Sequence, residues 1–294
     1  MRISVVIATK DRSTYLARAL ASLEQQAHAP SFEAIVVDNG SNDDTKAVTD
    51  RQAARGTYPV RYVFEPEPNR GKARNRGVEV ASGYIVLFMD DDVQLPPGFL
   101  AAHEAAHSTS NLVVNGPIIN VPSYEDRPKP VPANYSRAFL CTCNVSIPKH
   151  AIDAVGGFDE AFRLYGWEDT ELGVRLREAG MRWKFAWNAY LWHIKTDADN
   201  TLEVETRKAV ERARMARHFL DKQPTQRARL ATGAHPVNLL RARYLIPDAL
   251  LALYAGLATS DRTPGFVRTF ARGQFLDGMY ARELVRVLDE PPNP

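Results

Sequence analysis

Apolar runs alternate with helical patterns over the first 90 residues, and this alternation constrains the fold more than any other feature of the sequence. Leucines at helical spacing after Ser13 predict the first helix. Ser41 and Asp44 resemble a capping box that opens a second helix, and a third helix is predicted over residues 72–81. Runs of apolar, mostly β-branched residues predict four buried strands, at 2–8, 32–37, 60–64 and 84–89. Such an order indicates an α/β fold with a mostly parallel central sheet flanked by helices.

The second part of the chain predicts fewer strands and a helical tail. A stretch rich in Pro and Asn, 115–132, predicts a surface loop that acts as a lid. Later predicted elements are strands at 141–147 and 183–186, a turn at 156–159, a helix from Trp167 to a C-cap at Gly180, and a charged helix over 201–222. We therefore predict one α/β domain over 1–200, in two parts at 1–115 and 116–200, and a helical C-terminal extension over 201–294.

Charge is distributed unevenly along the chain. Residues 201–294 hold 15 Lys and Arg against 10 Asp and Glu, a net charge of +5, whereas the whole chain has +2. A basic tail is compatible with anionic lipid, although a solvated helical face is the alternative.

Cys141 and Cys143 are interpreted as small core residues in a reducing compartment. No signal peptide or membrane span is predicted, so we expect a cytoplasmic protein, peripheral to a membrane at most, with no nucleic-acid partner.

Three polar segments follow predicted parallel strands, at 9–12, 38–41 and 90–92. The carboxyl ends of such strands meet at one edge of the sheet, which favours a nucleotide-like ligand there. A dinucleotide-binding glycine motif and a phosphate-binding P-loop are both missing from the sequence. The phosphate must therefore be held by other groups.

Acidic residues predict a metal site at the end of the fourth strand. Asp90 and Asp92 project to one side and are spaced to reach a metal and a ribose, and oxygen ligands suit Mg²⁺ or Mn²⁺. A solvated acidic loop is the alternative. His193 becomes a ligand only if the fold brings it to Asp92; a core histidine is the alternative.

Other charged groups have two interpretations each. Asp38 is either a turn residue or a carboxylate that accepts a hydrogen bond from a nucleobase. The cationic stretch 69–77 either binds a diphosphate or is a solvated face. Glu168 and Asp169 are either ordinary stabilisers of a helix start or catalytic carboxylates, and the helix dipole is expected to keep Asp169 ionised.

Six segments in this order resemble the GT-A glycosyltransferases of family two, over about residues 1–200. They are Val5–Arg12, Val36–Ser41, Gly71–Asn75, Phe88–Asp92, Gly156–Glu160 and Trp167–Asp169. The segment from Gly166 to Leu172 is also similar to the family-seven galactosyltransferases and to mucin-type GalNAc transferases.

This resemblance implies that 1–200 is a GT-A catalytic domain, with a nucleotide-binding half at 1–115 and an acceptor half at 116–200. It also implies roles for individual residues. It implies nucleotide contacts from Thr9, Arg12, Asp38, Lys72, Arg74 and Asp90, and a Mn²⁺ or Mg²⁺ ion on Asp92 and His193. It implies Asp169 as the catalytic base, assisted by Glu168. We assign contacts with the donor sugar or the acceptor to Asp91, Asn144, Gly157, Asp159 and Trp167.

The resulting hypothesis is an inverting hexosyltransferase that moves a sugar from a nucleotide diphosphate, with UDP-sugars favoured, to a hydroxyl of a glycan, lipid-linked or small-molecule acceptor. Lys10 and Asp11 stand where many members have Tyr and Asn, which leaves the base identity open. Two alternatives stay open as well. One is a nucleotidyltransferase, whose usual glycine-rich loop is missing here; the other is a catalytically silent nucleotide-sugar-binding scaffold.

Overall fold

The computed structural model describes residues 2–196 and 201–291, and these form two compact units. The first unit comprises residues 1–163 and 168–196, and the second comprises 164–167 and 197–294. The segment 164–167 therefore belongs with the C-terminal helices, although it lies within the predicted catalytic domain. Residues 197–200 and 292–294, at the edges of the predicted extension, lie outside the described residues.

The first unit has ten strands and six α-helices within its described residues. The strands are β1 (Ile3–Thr9), β2 (Phe32–Asp38), β3 (Val60–Phe64), β4 (Ile85–Met89), β5 (Val93–Gln94), β6 (Leu112–Asn115), β7 (Ile118–Val121), β8 (Asn144–Pro148), β9 (Arg182–Phe185) and β10 (Leu191–Ile194). The helices are α1 (Ser13–Glu24), α2 (Thr45–Arg55), α3 (Arg70–Val80), α4 (Phe99–Ala106), α5 (Lys149–Ala154) and α6 (Glu168–Glu178).

Seven strands form the central sheet in the order β3-β2-β1-β4-β8-β6-β9. Strands β1 to β4 are mutually parallel, as predicted, because each is an apolar run followed by a helix or a crossover loop. Strand β8 runs antiparallel to both β4 and β6. The mixed α/β architecture with a largely parallel sheet confirms the predicted GT-A fold class.

Two layers of apolar side chains cover the sheet. On one face Leu16, Leu20 and Leu23 of α1 pack with strand residues such as Val5 and Leu87. On the other, α6 packs on Phe88 and its neighbours through Leu172 and Leu176. The leucines recur at helical spacing because this spacing places them all on the side of the helix that faces the sheet.

Three local predictions were wrong. The segment 115–132 contains strand β7, which pairs in parallel with β10 in a small second sheet, so it is not wholly a loop. The strand predicted from Cys141 begins only at Asn144. Helix α2 begins at Thr45 without a capping box, because the Asp43 carboxylate accepts from the Thr45 backbone and hydroxyl instead.

Helices alone make up the regular structure of the second unit's described residues. They are α7 (Leu202–Lys222), α8 (Gln226–Thr232), α9 (Pro236–Tyr244), α10 (Asp248–Thr259) and α11 (Gly265–Asp289). Ala242, Ile246, Leu251 and Ala281 form a small core among α9, α10 and α11. Over the described residues, no helix combines the length and the apolar character that crossing a bilayer requires.

Candidate active site

The loops after β1 and β2 are tied to each other. The Ser41 hydroxyl accepts from the Asp11 backbone N–H at 2.9 Å, and the Asp11 carboxylate accepts from the Asn42 N–H at 2.7 Å. Asp38 is buried at the end of β2, where its two oxygens accept from the Ser41 N–H (2.8 Å) and the Tyr62 hydroxyl (2.7 Å). These contacts fix the Asp38 carboxylate at the sheet edge; its contact with a nucleobase stays a prediction.

The three consecutive aspartates after β4 have different surroundings. Asp91 is buried and accepts from the Thr9 hydroxyl at 2.6 Å, with Arg12 Nε 3.4 Å away. Burial raises the pKa of Asp91 to about 7, against the opposing effect of Arg12 and Thr9. The structure therefore directs Asp91 toward Thr9 and Arg12, and its assigned contact with a sugar stays a prediction.

Asp92 is held by basic groups. Its Oδ2 lies 2.9 Å from Arg12 Nη2, and its Oδ1 lies 3.1 Å from His193 Nε2. Burial opposes ionisation of Asp92, but His193, Arg12 and Lys195 outweigh it and lower its pKa to about 2. The structure thus brings together the two residues predicted to hold a metal, and it adds Arg12 to them.

The environment of His193 fits a metal ligand. Its Nδ1 lies 2.9 Å from Asn120 Oδ1, an acceptor, so Nδ1 is the ring nitrogen that donates there. Its Nε2 lies 3.1 Å from Asp92 Oδ1, which is buried and has no well-formed hydrogen bond. A cation beside these two atoms would satisfy both, and the Asn120 contact is the orienting bond that metal-binding histidines commonly make.

A second carboxylate and a thiol lie beside His193. Ligand atoms of Asp90, Cys143 and His193 all lie within 4.8 Å of one another. Burial raises the pKa of the Cys143 thiol well above its usual range, which disfavours the thiolate. Carboxylate oxygens and an imidazole suit Mn²⁺ or Mg²⁺. The predicted ligands Asp92 and His193 face each other, and Asp90 lies beside His193 as a further candidate ligand.

Arg74 joins this cluster to the start of α6. Its nearly buried guanidinium lies 3.9 Å from Asp90 Oδ1, 3.4 Å from Glu168 Oε1 and 3.7 Å from Asp169 Oδ1. Lys72, the other predicted nucleotide-binding cation, lies at different carboxylates, 3.1 Å from Glu65 and 2.8 Å from Glu67. Of the two cations, the structure brings Arg74 and not Lys72 to the candidate catalytic residues.

The two oxygens of Asp169 differ. Oδ2 accepts from the backbone N–H (2.9 Å) and the hydroxyl (3.0 Å) of Thr142, whereas Oδ1 is buried and accepts no hydrogen bond from the described residues. Burial raises the pKa of Asp169 to about 6, with Arg74 acting in the opposite direction. A carboxyl with this pKa is still mostly ionised at neutral pH, so the expectation that Asp169 is ionised stays a prediction.

Three other predicted sugar contacts have structural roles. Asn144 is fully buried; its amide N–H groups donate to the carbonyls of Pro117 and Ala189, and its Oδ1 bonds to His103 Nε2. Gly157 has a φ of +71°, and a Cβ there would lie 2.6 Å from Asn75 Oδ1. Asp159 accepts from the Ala161 N–H. The Asn144 amide is thus used within the core, which corrects its assignment to a sugar.

Trp167 lies in the second unit. Its indole stacks on Phe219 with 5.6 Å between ring centroids, and its Nε1 donates to the Arg212 carbonyl at 2.8 Å. These contacts give the ring a packing role among the C-terminal helices. Its predicted role as an acceptor wall beside Asp169 stays a prediction.

Sequence reasoning did not identify Asn120, Thr142 and Cys143 as site residues. Cys143 lies beside Asp90 because β8 pairs antiparallel with β4 and places Met89 opposite Asn144, so the preceding and following residues are neighbours. The apolar pattern of β8 does not reveal the direction in which the strand runs. No sequence signal would therefore have identified this pair.

Comparison with known proteins agrees with the geometry. The model of the glycosyl transferase family 2 matches residues 4–159, and a model described as the N-terminal domain of galactosyltransferase matches residues 129–218. The second match contains the segment from Gly166 to Leu172, whose sequence resembles the galactosyltransferases.

Individual relatives support the same family. A validoxylamine A glucosyltransferase of Streptomyces hygroscopicus subsp. limoneus is 31% identical over 221 residues, which cover 61% of this chain and 48% of the relative. The chain spans about half the length of the validoxylamine A glucosyltransferases that it matches.

Solved structures share the fold. The mannosyltransferase PcManGT from Pyrobaculum calidifontis, in complex with GDP-Man and Mn²⁺, superposes with a TM-score of 0.65 at 19% identity, covering 98% of this chain and 87% of that one. TarS of S. aureus in complex with UDP has a TM-score of 0.54 at 20% identity, with 97% and 91% covered. The family match spans more than half of the chain and the fold agrees with it: the chain belongs to glycosyl transferase family 2.

Proposed function

We propose that this glycosyltransferase is an inverting, metal-dependent hexosyltransferase that uses a nucleotide diphosphate sugar, with UDP-sugars favoured. The observation that carries the proposal is the position of Asp169 Oδ1. This oxygen is buried, accepts no hydrogen bond from the described residues, and lies 3.7 Å from Arg74, which also contacts Asp90 of the acidic motif. A candidate base and a candidate donor-binding carboxylate are therefore linked by one cation.

The mechanism assigns one task to each group. Thr142 anchors Asp169 Oδ2 and leaves Oδ1 to accept the proton of an acceptor hydroxyl. The hydroxyl oxygen then forms a bond to the anomeric carbon as the bond from that carbon to the diphosphate breaks, which inverts the configuration. Asp90, Asp92 and His193 would hold the metal, which supplies Lewis-acid stabilisation of the departing diphosphate. Arg74 contacts Asp90 of the nucleotide-binding half and Glu168 of the acceptor half, and so keeps these two carboxylates close to each other.

Nucleotide binding tests the donor class. The structural relatives bind GDP-Man, UDP or UDP-GlcNAc. We expect a UDP-sugar with Mn²⁺ to raise the melting temperature of this protein more than GDP-, dTDP- or CDP-sugars do. A ligand at 100 times its Kd adds about 2.7 kcal/mol to the free energy of unfolding. A larger shift with a GDP-sugar would contradict the preference for uridine, and no shift with any of them would contradict the donor class.

The raised pKa of Asp169 predicts the acid limb of the pH profile. The carboxyl accepts a proton only when ionised, so kcat/KM should fall about tenfold per pH unit below about pH 6. The Thr142 hydroxyl bond favours the ionised form, so Thr142→Val should move this inflection to higher pH. The measurement is kcat/KM from pH 4.5 to 8.5 for both proteins. An inflection that moves to lower pH in the variant would contradict the assignment.

Two alternative functions make different predictions. A nucleotidyltransferase would release pyrophosphate from a nucleoside triphosphate, whereas a transferase releases the nucleoside diphosphate. A silent scaffold would bind a nucleotide sugar without hydrolysing it. Slow, Mn²⁺-stimulated release of UDP from a UDP-sugar favours the proposed function over both.

The acceptor and the cellular site are also proposals. We propose a hydroxyl of a glycan, a lipid-linked sugar or a small molecule as the nucleophile, and a cytoplasmic enzyme that contacts the inner face of the membrane through the second unit. Two stripes of that unit support the contact. On α9, Val237, Leu240 and Tyr244 recur at helical spacing and are 74%, 59% and 70% exposed. On α11, Phe266 and Phe270 are one turn apart and 79% and 60% exposed.

The charge of these helices favours an anionic bilayer as the occupant. Apolar stripes exposed at helical spacing indicate a surface that binds something apolar. Residues 201–294 have a net charge of +5, so a second copy of the same surface would be repelled, whereas anionic headgroups would be attracted.

Flotation with liposomes tests this surface. We expect binding to liposomes that contain phosphatidylglycerol at low salt, and weaker binding at high salt. Phe266→Ser with Phe270→Ser should reduce the bound fraction several-fold, whereas the matched exposed change Tyr84→Ser in the first unit should not. No flotation at low salt contradicts the proposal. A dimer that the double variant disrupts would instead identify a second copy as the occupant.

A further inference from the structure

A cavity of about 370 Å³ lies in the first unit, on the side of the acceptor half. Its lining residues are all uncharged. They are Asn115, Gly116, Ile118, Asn120, Ala133, Asn134, Tyr135, Ser136 and Cys141. Three side-chain amides and two hydroxyls provide hydrogen-bond donors and acceptors. The size falls within the range of small-molecule sites.

The cavity adjoins both candidate catalytic groups. On one side Asn120 bonds to the ring of His193 through its Oδ1. On the other side Cys141 is followed by Thr142, whose N–H and hydroxyl hold Asp169. Burial raises the pKa of the Cys141 thiol to about 12, and the negative charge of Asp169 adds to this rise. A molecule in the cavity therefore lies beside the residues that orient the metal ligand and the base.

Asn115 supplies an unused acceptor in the cavity wall. It is 3% exposed, and its Nδ2 donates to the Phe139 carbonyl at 3.0 Å. Its Oδ1 is buried and accepts no hydrogen bond from the described residues. Leaving a buried acceptor unpaired is costly, and a ligand hydroxyl would satisfy it once a small shift of the cavity wall exposes this oxygen.

Tyr135 supplies an aromatic face. Its ring is 44% exposed, and it packs against Phe185 at 5.0 Å, Trp183 at 6.0 Å and Trp187 at 6.1 Å between centroids. The partly negative face of an aromatic ring favours the slightly positive C–H bonds on the face of a sugar. An aromatic wall with amides around it therefore suits a hydroxyl-rich ring.

We propose that this cavity binds the acceptor, and that it accepts an uncharged sugar ring and rejects one that carries a carboxylate or a phosphate. This inference rests on the proposed function, because it assigns the substrate class of the same site. An anionic ring would lose water without gaining a cation, since none of the lining residues is charged. The same absence makes the cavity unsuitable for the diphosphate of the donor.

A matched pair of glycosides tests the charge rule. p-Nitrophenyl glucoside and p-nitrophenyl glucuronide differ only at C6, which is a CH₂OH group in one and a carboxylate in the other. We expect saturation-transfer NMR on the full chain with UDP and Mn²⁺ to give a Kd for the glucoside at least about tenfold lower. Equal affinities, or tighter binding of the glucuronide, would overturn the proposal.

Two variants test the residues. Tyr135→Ala removes a half-exposed ring and Asn115→Leu removes the unused acceptor at similar volume, and each should weaken glucoside binding about tenfold. Asn188→Leu, in an exposed turn outside the cavity, should leave that Kd unchanged. If both cavity variants melt like the parent protein and keep its affinity for the glucoside, the assignment is wrong. If Asn115→Leu fails to fold, Tyr135→Ala alone decides.

Failure of the proposed function would give a different result. If no nucleotide sugar stabilises the parent protein, the donor class is wrong, whatever the glycosides do. If UDP-sugars bind and the two glycosides do not differ, the transferase proposal stands and the cavity assignment falls.

Discussion

Asp169→Asn is expected to lower kcat by at least about 10²-fold while the affinity for the nucleotide sugar hardly changes. The asparagine still presents one oxygen to the Thr142 N–H and hydroxyl, so the local structure should persist. The amide that replaces Oδ1 cannot accept a proton, and the acceptor hydroxyl then has no base. Single-turnover rates with a UDP-sugar, together with the donor Kd from calorimetry, are the measurements.

Glu168→Gln is the matched control for this experiment. Glu168 and Asp169 are neighbours at the start of α6, and both contact the same Arg74 nitrogen, at 3.4 Å and 3.7 Å. Each substitution removes one negative charge beside the same guanidinium, so the difference between them isolates proton transfer from charge. If Glu168→Gln lowers kcat more than Asp169→Asn does, the two roles are reversed. If neither lowers it, the inverting mechanism is wrong for this protein.

Asp92→Asn is expected to abolish Mn²⁺-dependent turnover and to weaken Mn²⁺ binding by more than about 100-fold, since even the partners of metal ligands contribute 10–100-fold. The reason is the loss of a charged oxygen that faces His193 Nε2 at 3.1 Å. Binding is measured by electron paramagnetic resonance of free Mn²⁺ in the presence of UDP, which does not depend on turnover. A thermal melt checks that the variant folds.

Asp91→Asn is the control for the metal prediction. Asp91 precedes Asp92 in the chain, is about as buried as Asp92 and also contacts Arg12. Its other partner, however, is the Thr9 hydroxyl and not His193. Because the pKa of Asp91 is raised to about 7, its carboxyl is only partly ionised near neutral pH. Replacing Asp91 by Asn therefore removes less negative charge than replacing Asp92 does. The Mn²⁺ affinity of this variant should stay within a few-fold of the parent. If the two variants lose Mn²⁺ affinity equally, the overall negative charge of the three aspartates holds the metal, and Asp92 is not a specific ligand.

The parallel half of the sheet was predictable from the sequence because local patterns determine it. Strand β3 has the predicted bounds, β2 and β4 each differ from theirs by one residue at one end, and β1 is shifted by one residue. Polar segments after these strands meet at one edge, as parallel topology requires. Asp90, Asp92, Asp169 and His193 are predictable as candidate site residues because the family resemblance implies a role for each.

Contacts between distant segments were not predictable. Lys72 and Arg74 lie two positions apart on α3, yet one pairs with Glu65 and Glu67 and the other with Glu168. Which of the two side chains reaches Glu168 depends on how α3 is rotated about its axis relative to the sheet. The local sequence around residue 72 does not determine this rotation. Likewise, the raised pKa of Asp169 arises from burial by packing, whereas its place at a helix start alone suggested the opposite.

The antiparallel strand β8 has a consequence for how the molecule folds. It fills the space between β4 and β6, although 54 residues separate Met89 from Asn144 in the chain. During synthesis, β1 to β4 can pair as they emerge, but β4 keeps one open edge until β8 has been made. Closing such a long loop is slow in comparison with pairing nearby strands. His193, which lies beside Asp92, is on β10 and is made later still, so a partly synthesised chain has no assembled candidate active site.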